Sequence, residues 1–300
     1  MKLLVTGAWQ CSEEQLNYLR ELGQDVLFLQ NEKDELPCAY EEVEGVICNG
    51  LFLYHDVEKF IALRYVQLTS AGYDRVPLES LKARGVAVCN AAGVYSVPMA
   101  EFAVCGVLDL YKKSRFFYEN QKKTAWVKHR GLKELFGKSV CIVGCGDVGK
   151  ECAKRFAAFG CNVVGVTRTP SARDGFDRTV GLDELDSVLP TADIVVVSIA
   201  LSLETKKLFN EKRFTLMKDG AVFVNLARGA IVDEAALVAA LGENLYGAVV
   251  DVFENEPLGD SPLWSKENAV ITPHNSFVGE GNGKRLYEVI LKNLLLEDKK

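Results

Sequence analysis

Three hundred residues, 48% of them hydrophobic, can bury a large core and exceed what one average domain needs, so two domains are expected. A net charge of −6 and a pI near 5.3 argue against a polyanion partner such as nucleic acid. The longest apolar run, Ile194 to Leu201, is far below membrane-spanning length, so no membrane association is expected.

The nine cysteines (Cys11, Cys38, Cys48, Cys89, Cys105, Cys141, Cys145, Cys152 and Cys161) are odd in number, lie largely in apolar runs and never have C-x-x-C spacing. They read as reduced, mostly buried thiols of a cytoplasmic protein, without a disulfide framework or a metal site.

In chain order, Met1–Gly7 is too short for a signal segment and reads as a first strand over 2–6. A helix over 12–22 follows, with Ser12 as N-cap and Gln15 completing a capping box. Strands are predicted at 26–29, 46–48, 65–69 and 86–89, with a helix around 57–63. The loops 70–74 and 90–94 fall at carboxyl ends of strands, where open α/β sheets place ligands, and each also reads as plain punctuation. A long helical pattern runs from Pro98 to about Tyr118, with Met99, Phe102, Ala103, Gly106, Val107 and Leu110 on one stripe. The polar segment 119–130 reads as an extended arm. Strands then recur at 139–143, 162–166, 194–198, 221–225, 247–251 and 270–272, with helices at 183–189 and 233–241 and an amphipathic one closing the chain at 284–296.

Between strand 139–143 and an apolar helical stretch stopped by Gly160 stands Gly144-Cys145-Gly146-Asp147-Val148-Gly149. In that setting G-x-G-x-x-G is a dinucleotide turn: the first glycine allows the tight bend, the second lets a diphosphate approach, and the third lets helix and strand pack closely.

A dinucleotide needs a reacting partner. Arg228, Glu256 and His274 each follow a different strand of the second half, at its carboxyl end, where a doubly wound sheet would bring them to one crevice. Only three histidines exist, and His274, after Pro273, is the one placed to exchange a proton near neutrality. Arginine offers a planar fork to a carboxylate and a charge that polarises a carbonyl; a carboxylate beside the imidazole would fix its tautomer. Taken singly, Arg228 reads equally as a helix-terminus ion pair, Glu256 as surface and His274 as a satisfied loop residue. Their coincidence points to hydride transfer to an α-keto acid.

Taken together, the Gly137–Gly149 run, Ala192-Asp193-Ile194-Val195-Val196, Met217-Lys218-Asp219-Gly220, Asn225–Glu234, Asp251–Pro257 and Thr272-Pro273-His274 resemble the D-isomer-specific 2-hydroxyacid dehydrogenase family, most strongly from about 90 to 290. The resemblance implies an α/β architecture of two Rossmann-like doubly wound parallel-sheet domains. A flavodoxin-like, discontinuous substrate domain would comprise 1–97 plus 276–300, with a dinucleotide-binding domain at 98–275. It also implies that Arg228 binds the substrate carboxylate and carbonyl, that His274 is the acid/base and that Glu256 orients it. Gly144, Gly146, Asp147, Val148, Gly149, Leu226, Ala227 and Asp251 would contact cofactor, Asp251 through the nicotinamide carboxamide. Backbone of Ala71 and Gly72 would grip the substrate carboxylate, and a homodimer through the cofactor domain is implied.

One departure bears on the cofactor. After strand 162–166 an NAD site needs an acid for the ribose 2′-hydroxyl, but here Thr167-Arg168-Thr169 stands. A hydroxyl and a guanidinium suit a 2′-phosphate, so NADP(H) is expected over NAD(H), in the reductive direction of a glyoxylate or hydroxypyruvate reductase. A second departure places Ala200 where the family often has proline. The competing reading is a dinucleotide-sensing interaction protein of the corepressor type. A formate dehydrogenase-like reading conflicts with a glutamate at 256.

Overall fold

Strands and helices alternate along the chain and sort into two parallel sheets, as the sequence predicts. The computed structural model describes residues 1–297, so residues 298–300 of the expected C-terminal segment lie outside the described residues. Two compact units result: Met1–Tyr95 with the segment from Gly279 onward, and Ser96–Val278.

In the first unit β1 (Lys2–Thr6), β2 (Asp25–Leu29), β3 (Gly45–Cys48), β4 (Tyr65–Leu68) and β5 (Ala87–Cys89) lie in the order β2-β1-β3-β4-β5, all parallel. Successive side chains point to opposite faces, so Leu3, Val5, Ile47 and Tyr65 enter one core and Leu4, Val46, Cys48 and Val66 the other. The first core is closed by Leu16 and Leu19 of α1 (Glu13–Glu21) and by Leu286, Ile290 and Leu294 of the C-terminal helix (Asn282–Glu297). Helix α1 starts at the capping box: Ser12 Oγ accepts Gln15 N, and Gln15 Oε1 accepts Ser12 N at 2.9 Å. The second core is closed by Leu81 of α2 (Leu78–Ala83), a helix absent from the sequence prediction, and by Val57, Phe60 and Leu63.

The helix predicted around 57–63 is a single 3₁₀ turn, Val57–Lys59. Arg84 ties the segment down, donating from Nη1 to Val57 O at 2.8 Å and from Nη2 to Phe60 O, while the same two carbonyls accept the Phe60 and Leu63 amides at 3.2 Å each. A continuing α-helix would bring the amides at 61 and 64 to those carbonyls, but Ile61 N bonds Lys59 O at 3.0 Å and Arg64 N bonds Glu44 O at 2.8 Å, so the turn does not propagate.

In the second unit β6 (Ser139–Val143), β7 (Asn162–Val166), β8 (Arg178–Val180), β9 (Ile194–Val197), β10 (Val222–Asn225), β11 (Gly247–Val250) and β12 (Ala269–Ile271) form a parallel sheet ordered β12-β11-β10-β9-β6-β7-β8. The strand order reverses between β6 and β9. Helices α3 (Ser96–Tyr111), α4 (Ser114–Lys122), α5 (Asp147–Ala158), α6 (Leu185–Val188), α7 (Glu211–Leu216) and α8 (Glu234–Ala240) complete the unit. Valines and isoleucines dominate the strands because both faces are buried. Val140, Ile142, Val196 and Val224 pack with α3 and α5, whereas Cys141, Val195, Phe223 and Val250 pack with α6, α7 and α8.

The continuous helix expected over 98–118 is two helices, and the extended arm begins later than 119. Lys113 takes a left-handed φ of 55° and divides α3 from α4, which runs on to Lys122. The break is anchored on both sides: Lys112 Nζ donates to Lys133 O at 2.8 Å, and Lys113 Nζ stands 4.5 Å from the Tyr246 ring centroid. The 183–189 helix shrinks to α6 between two 3₁₀ turns. All nine cysteines are free and five are buried. Among the described residues no helix is long and apolar enough to cross a membrane.

Candidate active site

Strand β6 delivers Gly144 to the switch point of the second sheet. Its φ of 107° suits glycine, and an added Cβ would sit 2.5 Å from Ile199 N, just past β9. A Cβ on Gly149 would lie 2.0 Å from Gly144 O, so helix α5 approaches the turn as closely as only glycine permits. Ser198 Oγ locks the bend by donating to Gly144 O at 2.8 Å. At Gly146 the geometry reverses, because a Cβ there would meet nothing within 4 Å. Gly146 is the N-cap of α5 and supplies no side-chain cap, which leaves the first-turn amides around Asp147 and Val148 without one. A helix amino end with free amides and room above it fits a dinucleotide diphosphate.

Thr167, Arg168 and Thr169 leave the carboxyl end of β7, next to β6, with Arg168 and Thr169 exposed. No acid stands at that strand end. Burial pushes the thiol of Cys145, within the Gly-rich turn, up to about 11 against the opposing charge of Arg173, which disfavours the thiolate.

The proposed reacting groups follow three adjacent strands. Arg228 comes after β10, on a loop held by Asn225, whose Oδ1 accepts Ala227 N at 3.1 Å and whose Nδ2 donates to Arg228 O at 3.2 Å. Arg228 Nη1 donates to Ala227 O at 2.7 Å. Gly229 lies so close to the backbone after β11 that a Cβ would fall 1.8 Å from Phe253 C. That same segment supplies Glu256, whose Oε1 accepts Phe253 N at 2.9 Å and whose Oε2 meets His274 Nδ1 at 2.7 Å. The structure thus joins Glu256 to His274 directly, and seats the Arg228–Gly229 loop against the stretch leading to Glu256. Facing a carboxylate, Nδ1 is the hydrogen-bearing ring nitrogen, which leaves Nε2 to exchange a proton.

Asp251 has a larger structural task than the sequence suggests. Its carboxylate is fully buried and accepts Thr272 Oγ1 at 2.6 Å, Asn275 N at 2.8 Å and Ser276 N at 2.9 Å, while its carbonyl accepts His274 N at 2.8 Å. His274 has a left-handed φ of 50°, and Asp251 is the hub of the turn that imposes it. Leu226 is buried in the core on the α3 and α5 side, so only its backbone is available to a ligand.

In the first unit, Asn90 Nδ2 donates to Ala71 O at 2.7 Å and Ser70 Oγ to Gly72 O at 3.0 Å, fixing the loop after β4 through its carbonyls. His55 is a satisfied core residue between Tyr40 Oη at 2.9 Å and Glu32 O at 2.8 Å. His129 pairs with the Gly131 amide at 3.1 Å. Among the described residues, no group of three His, Cys, Asp or Glu could hold a metal ion.

The family model for the D-isomer specific 2-hydroxyacid dehydrogenase NAD binding domain matches residues 104–276. The chain is 34% identical to a glyoxylate reductase of Pyrococcus horikoshii, over 78% of this chain and 72% of that one. It is 30% identical to a D-3-phosphoglycerate dehydrogenase of Methanocaldococcus jannaschii, over 91% of this chain and 53% of the relative, whose length it only half spans. A D-isomer specific 2-hydroxyacid dehydrogenase of Xanthobacter autotrophicus, solved in complex with NADPH and MES, superposes with a TM-score of 0.81 at 29% identity, covering 100% of this chain and 95% of that one. The chain belongs to the D-isomer specific 2-hydroxyacid dehydrogenase family and is an NAD(P)-dependent oxidoreductase of that family.

Proposed function

We propose that the chain reduces a small 2-keto acid to its D-2-hydroxy acid with NADPH preferred and NADH also accepted. The observation that carries this reading is the 2.7 Å Glu256–His274 pair at the ends of adjacent strands β11 and β12, with Arg228 at the end of the next strand, β10. The bound nicotinamide supplies the hydride. Arg228 binds the substrate carboxylate and polarises the carbonyl, and His274 Nε2 gives the proton to the carbonyl oxygen while Glu256 holds the ring. Amides about Gly144, Gly146, Asp147, Val148 and Gly149 hold the diphosphate. Backbone at Leu226 and Ala227 and the Asp251 turn border the nicotinamide end.

Thr167-Arg168-Thr169 in place of an acid supports NADPH, and so does the NADPH complex of the Xanthobacter relative. The glyoxylate reductase relative supports glyoxylate as substrate, and hydroxypyruvate stays on the panel as a second small 2-keto acid. The unit holding Met1–Tyr95 is assigned the substrate role, with Ala71 and Gly72 amides meeting the carboxylate, and Ser96–Val278 the cofactor role. Trp126 and Phe136, 94% and 79% exposed, support a homodimer built through the cofactor unit, and the nine free cysteines support a cytoplasmic location.

The test is loss of nicotinamide absorbance on a panel of glyoxylate, hydroxypyruvate, pyruvate and 2-ketoisocaproate, with kcat/KM for NADPH and NADH. Turnover of at least one acid, with NADPH favoured, is expected. Silence across the panel with cofactor bound overturns the reading, and a clear NADH preference overturns its cofactor half.

A further inference from the structure

The excursion between β7 and β8 is fastened by a residue that hydride transfer does not use. Arg173 Nη1 donates to Cys145 O at 3.0 Å, inside the Gly-rich turn, and Nη2 donates to Thr169 O at 3.2 Å, inside the segment assigned to the ribose 2′ position. One guanidinium therefore spans two pieces of backbone, one beside the diphosphate site and one beside the ribose site. Its Nε is buried with no acceptor among the described residues.

The surroundings make this a fixed bridge. Behind Thr169 the loop is tied by Ser171 N to Thr179 Oγ1 at 2.9 Å and by Thr179 Oγ1 to Ser171 O at 2.7 Å. Beyond Arg173 it is seated on α5, where a Cβ on Gly175 would lie 3.0 Å from Lys154 N. The exposed stretch Arg168–Pro170 is left between the end of β7 and these ties, and the Arg173 bond is its link to the Gly-rich turn. A planar fork can serve two carbonyls at a set angle, whereas an ammonium on a flexible stem cannot.

We propose that Arg173 is the positioning residue for discrimination at the ribose 2′ position, a role that rests on the NADPH reading of the same site. It holds the Arg168 segment at a set distance from the Gly-rich turn and keeps a positive charge beside it, so that a 2′-phosphate binds better than a hydroxyl.

The experiment is titration of the full chain with NADPH and with NADH, read by nicotinamide fluorescence, for the wild type, Arg168→Ala, Arg173→Met and Arg173→Lys, with thermal unfolding of each. The quantity read is the ratio of the NADH Kd to the NADPH Kd. Arg173→Met is expected to lower it about tenfold, the scale of one charge-assisted hydrogen bond, while the NADH Kd moves by less than about threefold. Arg173→Lys keeps the charge without the fork and falls between. Equal weakening of both cofactors, or no change in either, overturns the assignment, since a mere brace of the turn cannot alter the ratio. If Arg173→Met does not fold, Arg173→Lys decides by the same ratio. A wild-type ratio below one overturns the NADPH reading and the Arg173 assignment with it; a ratio above one that Arg173→Met leaves unchanged overturns the Arg173 assignment alone.

Discussion

Glu256 and His274 are 18 residues apart in sequence and joined by a 2.7 Å bond from Oε2 to Nδ1, while the other carboxylate oxygen, Oε1, is fixed by the Phe253 amide. A carboxylate anchored to backbone through one oxygen and bonded to Nδ1 through the other restrains the orientation of the imidazole, so the pair acts as one unit. His274→Asn should lower kcat by about 10²–10⁴-fold, the usual worth of a positioned acid/base. Glu256→Gln should lower kcat by less, with the Kd of NADPH unchanged. A lowered kcat, larger for His274→Asn than for Glu256→Gln, beside unchanged fluorescence titration would confirm both, and a His274→Asn variant of wild-type kcat would refute the assignment.

Arg228 is expected to resist conservative replacement. Lysine cannot both bond Ala227 O, as Nη1 does at 2.7 Å, and present a fork to a carboxylate. Arg228→Lys should lower kcat/KM for the keto acid by about 10–100-fold, equivalent to about 1.4–2.7 kcal/mol. Cofactor binding should be unaffected. Steady-state kinetics beside cofactor titration separates the two, and an equal loss in both would place Arg228 in the cofactor site instead.

The turn carrying His274 should fail when its hub is removed. Asp251→Ala strands the Thr272 hydroxyl and the Asn275 and Ser276 amides, each costing about 1–3 kcal/mol if it stays dry. A fall in Tm together with a fall in kcat is expected, and Asp251→Asn should be milder because it keeps the shape and one acceptor. An Asp251→Ala protein with wild-type Tm and kcat would show that the turn holds itself.

Stability should drain away in alkali. Burial pushes the thiols of Cys141 and Cys152 from 9.0 up to about 12, and that of Cys161 up to about 11. Between the ordinary and the raised values the unfolded chain has lost protons that the folded chain keeps, so stability falls as pH rises. The contribution is whole below about pH 9 and is lost as pH climbs through the raised values. Thermal unfolding followed across that range should show Tm falling, and Cys152→Ala, though less stable at neutral pH, should fall less steeply. A flat Tm profile through the alkaline range would contradict the buried-thiol account.

Much of the chain was legible because its signals are local. Runs such as Ile194–Val197 and Val222–Asn225 are apolar throughout because both faces of a parallel sheet are buried, and Ser12 with Gln15 announces a helix start within four residues. The Gly-rich turn and the strand-end positions of Arg228, Glu256 and His274 likewise follow from short spacings read in order. Three-residue β8 was too short for any period to appear, and six-residue α2 and α7 offered less than two turns.

What the sequence determined by itself, then, was the alternation of strand and helix, a Gly-rich turn between strand and helix, and the strand-end residue types proposed to meet a keto acid. The tertiary structure decided which backbone groups long side chains would claim. Arg84 reaches back 27 residues to the Val57 carbonyl, Arg173 reaches back 28 residues to the Gly-rich turn, and Asp251 gathers a turn 21 to 25 residues onward. Such bonds have no period and no fixed spacing. They exist only once the sheet has brought distant strand ends side by side, because a hydrogen bond needs its two atoms within about 3 Å and nothing in the order of residues specifies that distance.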